Sequence, residues 1–566
     1  MVIIRIGLVI LLWMPLVVTT STIYPFTVGK AVFARVIIEV LAAVWLVLVL
    51  YNPAFRPPRS RILALFGLYL VIAFVAAAQG VSFTHSVWSD YSRMLGLWDL
   101  FHWFLMVVVA ASVLRSSAEW VSLFNWNLGV TFVVSVLALS QAYGAPLLPF
   151  LSGACRLDST LGNPSYLATI LVITTLIAVG LLAQSWLPLE DGAGRHEDRT
   201  PRREVRLQRR NIRWWRVFWL ATAALGLWVL FQTGARGALV GLIAGTLSMP
   251  LALGIWGNRR ALRPVSYAAG AILIALTGLF LLDQTLGFPV AAQCRKQTVS
   301  TRLVQTTLEE SSVSTRLEAA NIGFRAFQER PILGWGPDNY GLVYERFSGP
   351  EAYNFGIIQF ANAHNKIFDD LATSGAIGTV AYLAIWMAVG WSIVRRRRPS
   401  GEEALAYAIL GALVTYFVQN LFLFDTSAML LQWSLLVAWA AGHERQDEGR
   451  EQAGRTNIGK KLTDVVTSRL GSLVVFACRE PRVKLTMTIA ITVVLGLSLY
   501  SFNFLPFRAA TIFGDLYYNP HTPSEQIVLA QKSFDTFPYM ANFSRGLFFW
   551  QLIEGWGNLS QEDRSL

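Results

Sequence analysis

Residues 165–186 read SYLATILVITTLIAVGLLAQSW, a run of 22 residues without a single charged side chain. An α-helix rises about 1.5 Å per residue, so this run extends about 33 Å as a helix. That length crosses the hydrocarbon core of a bilayer, which is about 30 Å thick. The stretch therefore predicts a membrane-spanning helix in the middle of the chain.

The composition of the whole chain extends this interpretation. Of 566 residues, 54% are hydrophobic and only 14% carry charge, and the mean hydropathy is +0.47. Soluble domains contain about 25% charged residues, so this composition excludes a soluble enzyme and a disordered scaffold. The apolar runs are also too continuous for the alternating strands of an outer-membrane barrel. We predict an all-α polytopic integral membrane protein with about 12–13 transmembrane helices.

Thirteen apolar runs between charged breaks are candidate spans. They lie near 3–22, 31–51, 62–79, 95–114, 121–142, 165–186, 215–233, 237–256, 265–283, 372–394, 404–424, 428–442 and 485–504. The first run carries Arg5 near its start and lacks a small-residue cleavage site, which indicates a retained span rather than a removed signal peptide. The amino terminus is then predicted to lie inside.

The basic residues decide between the two possible orientations. Cytoplasmic loops collect Lys and Arg, and an internal amino terminus places 30 of the 47 basic residues on the cytoplasmic side. The net charge of +12 then reflects orientation rather than nucleic-acid binding. With this orientation, residues 187–214 and 443–484 lie inside, while residues 284–371 and 505–566 lie outside.

The runs and loops divide the chain into five predicted parts. These are a transmembrane domain at 1–442, its long extracytoplasmic loop at 284–371, a basic cytoplasmic linker at 443–484, an additional transmembrane helix at 485–504 and an extracytoplasmic tail at 505–566. Aromatic residues in the long loop favour an ordered, functional segment. The tail predicts two helices, near 523–534 and 542–554, whose apolar spacing resembles the first unit of a tetratricopeptide-like array.

Arg236 is the first candidate site residue. It lies in the small-residue turn 232–238, Gln-Thr-Gly-Ala-Arg-Gly-Ala, between two apolar spans. An Arg in hydrocarbon costs roughly 2.5–3.5 kcal/mol and commonly lines a pathway or binds a ligand. The alternative is an Arg that snorkels to the outer headgroups. The flanking glycines favour a ligand, because they let backbone and guanidinium approach a phosphate closely.

Two further candidates lie in the long outside loop. Arg316 falls in a predicted helix with Ser314 as its N-cap, and by spacing alone it is either a solvated residue or a partner of acids near Glu318. His364 lies in the stretch 360–366, Phe-Ala-Asn-Ala-His-Asn-Lys, next to a span. A lone His is more often structural than catalytic, so both interpretations stay open.

The sequence predicts no metal and no nucleotide cofactor. The other histidines show no metal-ligand spacing, and neither HExxH, CxxC, a Walker loop nor a GxGxxG after a strand occurs. Of three cysteines, Cys155 and Cys294 are predicted to lie outside, where either a disulfide or two free thiols is compatible with the sequence.

These motifs, in this order and on these sides of the membrane, resemble the O-antigen ligase and O-antigen polymerase superfamily of membrane glycosyltransferases. The resemblance covers roughly residues 60–442 and rests on Thr-Gly-Ala-Arg-Gly at 233–237, Ser-Thr-Arg-Leu-Glu at 314–318, Arg-Pro-Ile-Leu-Gly-Trp-Gly at 330–336, Ala-His-Asn at 363–365 and the segment 156–164. The additional span near 485–504 departs from the family, whose ligases generally stop near twelve spans.

The resemblance implies an enzyme that needs no metal or other cofactor. It would transfer a glycan from an undecaprenyl-diphosphate carrier to an acceptor hydroxyl at the outer face of the cytoplasmic membrane. It further implies that Arg236 and Arg316 bind the diphosphate, whose developing charge suits guanidinium groups. His364 would then activate the acceptor hydroxyl.

Three functions remain open at this point. A ligase would use lipid A core, another lipid or a protein as acceptor. A polymerase of the same superfamily would use a second lipid-linked repeat unit. A transporter or flippase is the more distant alternative, and it predicts broken spans in matching halves, a pattern that the sequence does not show.

Overall fold

The computed structural model describes most of the chain. The described residues are 1–151, 156–186, 202–256, 311–349, 360–396, 400–451 and 480–541, with the isolated positions 271, 545, 546, 548 and 549. The regular elements among them are all helical, which confirms the predicted all-α class. The predicted span 265–283, apart from position 271, lies outside the described residues, as do Cys155 and Cys294.

Seventeen α-helices are described. The first nine are α1 (Val2–Leu11), α2 (Val28–Tyr51), α3 (Arg61–Gln79), α4 (Phe83–Trp88), α5 (Leu97–Val113), α6 (Ser117–Ala142), α7 (Pro164–Trp186), α8 (Arg202–Thr233) and α9 (Arg236–Trp256). The other eight are α10 (Ser311–Glu329), α11 (Tyr340–Phe347), α12 (Lys366–Val394), α13 (Ser400–Asn420), α14 (Ser427–Glu451), α15 (Pro481–Ser498), α16 (Leu505–Tyr518) and α17 (Pro523–Thr536).

Several of these helices are long and apolar enough to cross a bilayer. In the described part of the chain seven meet that condition, namely α2, α3, α6, α7, the segment 212–233 of α8, α12 and the joined helix Pro481–Tyr518. Shorter apolar helices run over Val2–Leu16, Leu97–Val113 and Arg236–Ala252. The chain is therefore a multi-pass membrane protein, as predicted, while the full count of 12–13 spans stays a prediction.

The first predicted span, 3–22, is wrong in its extent. Helix α1 ends at Leu11, a short 3-10 turn that contains Pro15 follows, and Val17 is already extended. Ten residues of α-helix reach only about 15 Å, half the thickness of the hydrocarbon. The physical reason is Pro15, since its ring has no N–H and cannot continue an α-helix.

Small residues bring the central helices together. Helix α13 packs along both α9 and α7. A Cβ atom on Gly245 of α9 would overlap the Gly411 carbonyl and the Thr415 hydroxyl of α13, and one on Gly180 of α7 would overlap Ala408. Such close approach between helices is the usual packing solution in a bilayer, where apolar burial supplies no driving force. Near the amino end of α9, a Cβ atom on Gly237 would lie 3.1 Å from the side-chain oxygen of Gln419, so this end of the helix also lies against α13.

Helix α12 is broken at Gly375, where φ is +64° and ψ is −170°. The turn 331–336 fills the break with four backbone hydrogen bonds. The donors and acceptors are Trp335 N to Ala372 O at 2.9 Å, Gly336 N to Thr373 O at 2.8 Å, Ala376 N to Pro331 O at 2.8 Å and Ile377 N to Ile332 O at 3.3 Å. The turn therefore satisfies the carbonyls of the first half-helix and the amides of the second.

The helix predicted near 485–504 is longer than its apolar run. A π-helical turn, Leu499–Phe504, joins α15 to α16, so that one helix continues to Tyr518. Asn503 in this turn donates a hydrogen bond to the buried Glu39 carboxylate at 2.9 Å. Helix α17 folds back onto α16, and the second predicted tail helix, 542–554, lies outside the continuously described residues.

Candidate active site

The turn between α8 and α9 positions Arg236 at the first residue of α9. Gly234 makes the reversal with φ of +61°, a conformation that favours glycine. The Thr233 hydroxyl accepts a hydrogen bond from Ala235 N at 3.3 Å, and the Thr233 carbonyl accepts one from Arg156 Nε at 2.7 Å. Arg156 therefore ties the turn to the segment that precedes α7.

Three arginines meet in one cavity, which we call the cationic cavity. It has a volume of about 160 Å³. Its lining residues are Arg156, Ser165, Gly234, Ala235, Arg236, Gly237, Arg316, Gln419, Phe422 and Leu423. Arginine guanidinium groups bind phosphate and other anions, so three arginines along one cavity make it a candidate anion site. The predicted convergence of Arg236 and Arg316 is thus found.

Arg316 reaches this cavity from α10, outside the main helix bundle. That helix begins at Ser311, so the predicted N-cap Ser314 lies inside its first turn. Aromatic side chains hold the helix in place, since Trp335 Nε1 donates to the Ala326 carbonyl at 2.9 Å. Glu318, the acid considered as a partner for Arg316, forms an ion pair with Arg325 at 2.9 Å.

His364 lies just before α12 in a constrained backbone. Its φ is +52°, in the left-handed region that few residues other than glycine adopt. On one side, Ala363 N donates to the Asp369 carboxylate at 3.0 Å. On the other, Asn365 caps α12 by accepting from Ile367 N at 3.0 Å. The residues on both sides of His364 are therefore bound to the amino end of α12, which fixes the backbone position of the histidine.

The imidazole of His364 packs between two aromatic rings. Its ring centroid is 5.2 Å from that of Phe360 and 5.1 Å from that of Phe424. Burial, together with the positive charges of Arg316 and Arg93, lowers the pKa of His364 to about 4. The ring is therefore neutral near pH 7, with a nitrogen lone pair to receive a proton.

His364 is not among the residues that line the cationic cavity, contrary to the prediction that its ring points there with the arginines. Phe422 and Leu423 line that cavity, and the next residue, Phe424, contacts the imidazole. The histidine thus lies beside the cavity wall, within the electrostatic reach of Arg316.

Sequence reasoning assigned no role to two arginines near this site. Arg156 lines the cationic cavity, and the family-like segment 156–164 was its only available signal. Arg93 stacks on the Phe424 ring at 3.9 Å and donates to the Tyr166 hydroxyl at 3.1 Å. Nothing in the residues around Arg93 marks it, because its neighbours come from distant parts of the chain.

The described residues contain no group of three or more His, Cys, Asp or Glu side chains arranged to hold a metal ion. Burial raises the pKa of Asp338, in the outside loop, to about 6. Its carboxylate lies 3.8 Å from His85 Nε2, at the end of α4.

Comparison with known proteins supports the resemblance found in the motifs. Residues 221–383 match the family model for the O-antigen ligase. This region contains Arg236, Arg316 and His364, and it ends within α12, shortly after the break at Gly375. No curated protein matches the chain.

Proposed function

We propose that this membrane protein, whose residues 221–383 are similar to the O-antigen ligase family, transfers a glycan from an undecaprenyl-diphosphate carrier to an acceptor hydroxyl. The observation that carries the proposal is the cationic cavity, which three arginines line, with His364 within the electrostatic reach of Arg316. The active site then faces outward from the cytoplasmic membrane, on the side that the basic residues assign to 284–371.

The arginines suit a diphosphate leaving group. As the bond between the sugar C1 and the phosphate oxygen breaks, its electron pair stays on the diphosphate, which gains negative charge. Arg236 and Arg316 would bind that diphosphate, and planar guanidinium groups can each donate two parallel hydrogen bonds to it. Fixed cations aimed at developing charge lower the barrier without any proton transfer. Arg156 would orient the turn that carries Arg236, through its bond to Thr233.

His364 would act as the general base that accepts the proton of the acceptor hydroxyl. The hydroxyl oxygen attacks C1 as its proton passes to an imidazole nitrogen, so the leaving diphosphate and the protonated ring carry opposite charges at the end of the step. Arg316 suppresses protonation of the free ring. A bound diphosphate would offset that positive charge and raise the proton affinity of His364, so the base becomes strongest when the donor is in place.

Ligase and polymerase activities share this chemistry and differ only in the acceptor, which is a lipid, glycolipid or protein in one case and a second lipid-linked repeat unit in the other. The flippase alternative requires no histidine beside the cavity and no bond cleavage. Consumption of the donor with release of undecaprenyl diphosphate therefore separates both transferases from a flippase.

The test uses the full-length protein reconstituted in liposomes with a lipid-linked glycan. His364→Ala should lower transfer by about 100- to 10,000-fold, the usual contribution of general acid–base catalysis, while donor binding persists. His521→Ala, in the tail, is the matched control and should transfer normally. Near-normal turnover by His364→Ala would assign the histidine a structural role and refute the proposed mechanism.

The proposed orientation has its own experiment in intact cells. A cysteine placed at Arg330 in the outside loop should react with a membrane-impermeant thiol reagent, whereas one at Thr200 should not. Labelling at Thr200 would reverse the orientation and place the site on the wrong side for the carrier.

A further inference from the structure

The tail shares a hydrophobic core with the segment between α4 and α5, residues 89–96, which we call the Arg93 segment. Tyr91 and Met94 of this segment are 2% and 0% exposed, and they belong to one cluster with Phe513 and Phe537 of the tail. All of these residues lie outside the region that matches the O-antigen ligase model. The tail is therefore packed against the helix bundle rather than attached to it by the chain alone.

Trp88, the last residue of α4, is in contact with aromatic rings of the tail. Its ring centroid lies 5.6 Å from that of Tyr539, with the two planes 24° apart, and 5.3 Å from that of Phe537, with the planes at 90°. A third ring, that of Phe502 in the π-helical turn, lies 5.1 Å away. Stacked and edge-to-face pairs of this kind are favourable. The tail thus holds the end of α4 at which the Arg93 segment begins.

The other side of α4 carries the outside loop. Asn339 Nδ2 donates a hydrogen bond to the Ser86 hydroxyl at 3.1 Å. Just before α4, Val81 N donates one to the Trp335 carbonyl at 3.0 Å. Helix α4 therefore lies between the tail and the loop that contains His364.

The backbone of the Arg93 segment is strained. Ser89 has φ of +61° and Met94 has φ of +50°, values that few residues other than glycine adopt. Between them, Asp90 Oδ1 accepts hydrogen bonds from Ser92 N at 2.7 Å and from Arg93 N at 3.1 Å. A strained backbone persists only when the surrounding structure holds it in place. The packing against the tail is part of that surrounding structure.

The side chain of Arg93 reaches the candidate active site from this segment. Its guanidinium stacks on the Phe424 ring at 3.9 Å and donates to the Tyr166 hydroxyl at 3.1 Å. The Phe424 ring is also in contact with the imidazole of His364. Tyr91, only two residues before Arg93, lies in the core shared with the tail. One short segment therefore joins the packing of the tail to the position of a cation near the histidine.

We propose that the tail is a positioning element of this enzyme: its contacts with Trp88 hold the Arg93 segment in the strained backbone that places Arg93 beside His364. Phe537 and Tyr539 are then positioning residues. The importance of this placement for catalysis rests on the proposed glycan transfer, whereas the placement itself does not. A tail that only stabilised the fold would leave the surroundings of the histidine unchanged in every molecule that remains folded.

The ionisation of His364 reports the position of Arg93 without any turnover. The charges that lower the pKa of this histidine, together with burial, are those of Arg316 on α10 and of Arg93. If Arg93 moves away, a positive charge is lost near the imidazole and the pKa rises. NMR of the full-length protein with carbon-13-labelled histidine can follow each imidazole as the pH is varied, and His364→Gln assigns the resonance.

Two tail variants test the placement. Tyr539→Ala and Phe537→Ala should each raise the titration midpoint of His364 toward the value found in Arg93→Gln. Tyr539→Ala combined with Arg93→Gln should add no further shift, because the charge that would move is already absent. Tyr539→Phe keeps the ring and should keep the wild-type midpoint. Tyr518→Ala is the matched control, since Tyr518 is a tail residue of similar exposure, 53% against 50% for Tyr539, and should leave the midpoint unchanged.

An unchanged midpoint in both tail variants would overturn the proposal. An unchanged midpoint in Arg93→Gln would overturn it too, because Arg93 would then not act on His364. In the transfer assay, the acid limb of kcat/KM for Tyr539→Ala should move to higher pH with the NMR midpoint. An equal loss at every pH without such a shift would indicate a structural role and contradict the positioning role. Absence of transfer by the wild type would refute the proposed function alone, since the NMR midpoints would still decide the placement of Arg93.

Discussion

The acid limb of the pH profile of kcat/KM should lie at an unusually low pH. His364 has its pKa lowered to about 4 by burial and by the charges of Arg316 and Arg93. A general base must be unprotonated in the free enzyme, and kcat/KM reports that ionisation. We therefore expect kcat/KM to remain level as the pH falls from 7 to about 5 and to decline only near pH 4.

The size of the effect follows from the two pKa values. At pH 5.5 a histidine with a pKa of about 4 is about 97% neutral, whereas one with the ordinary value of about 6.5 is about 9% neutral. The two cases differ about tenfold in kcat/KM at that pH. In the donor complex the diphosphate offsets Arg316, so the pKa that governs kcat should lie above the value for kcat/KM.

The assay is initial-rate transfer from a lipid-linked glycan by reconstituted protein between pH 4 and 8, at limiting and at saturating donor. Arg93→Gln removes one positive charge near His364 and should move the acid limb of kcat/KM to higher pH, whereas Arg346→Gln, on an exposed side chain, should not. An acid limb centred near pH 6.5 in the wild type would refute the electrostatic reasoning. An unchanged limb in Arg93→Gln would remove that arginine as a cause.

Three further predictions concern the cavity and the fold. Arg236→Lys keeps the positive charge but loses the planar guanidinium, so the rate of glycan transfer should fall about tenfold or more. The control variant Arg346→Lys should stay active. Equal transfer rates for wild type and Arg236→Lys would contradict the role of Arg236 in binding the diphosphate. Gly375→Ala should lower unfolding stability by at least about 2 kcal/mol, because φ is +64° and the turn's backbone abuts the new Cβ. Gly390→Ala has open space and should be neutral by thermal melting, so similar losses in both would refute the packing argument. Asn503→Ala should cost about 1.5–3 kcal/mol through its lost bond to a buried carboxylate, and an unchanged melting midpoint would show that the bond is dispensable.

The membrane-spanning helices were predictable because burial in lipid leaves a local signal. The uncharged run at 165–186 corresponds closely to α7, and no tertiary contact is needed to interpret it. A local proline also explains the one span that fails, since Pro15 ends the helical run after α1.

The break in α12 was not predictable from its own residues. The stretch from Lys366 to Val394 is apolar enough to suggest one continuous helix, and Gly375 by itself is common within such helices. The break exists because the turn 331–336, more than 30 residues earlier, supplies partners for the backbone groups that it exposes. Such a pairing lies in the tertiary structure alone.

The candidate site was predictable only in part, from the residues that stand in short motifs. Arg236, Arg316 and His364 stand in short motifs, and the first two do share a cavity. Arg156 belongs to the site because it donates a hydrogen bond to the Thr233 carbonyl, 77 residues away in the sequence. Arg93 belongs to it because its guanidinium stacks on the Phe424 ring. Contacts of this kind leave no spacing pattern, so residue type and local context cannot reveal them.

The turn that fills the break at Gly375 has a practical consequence for exchanging the outside loop between relatives. A graft whose downstream junction is placed at the start of α12, the natural choice from hydropathy, would join a foreign 331–336 turn to the native half-helices. Four backbone hydrogen bonds would then depend on two sequences that never evolved together. An exchanged loop should therefore extend through Ile377, so that the turn and the half-helix groups that it bonds come from one sequence.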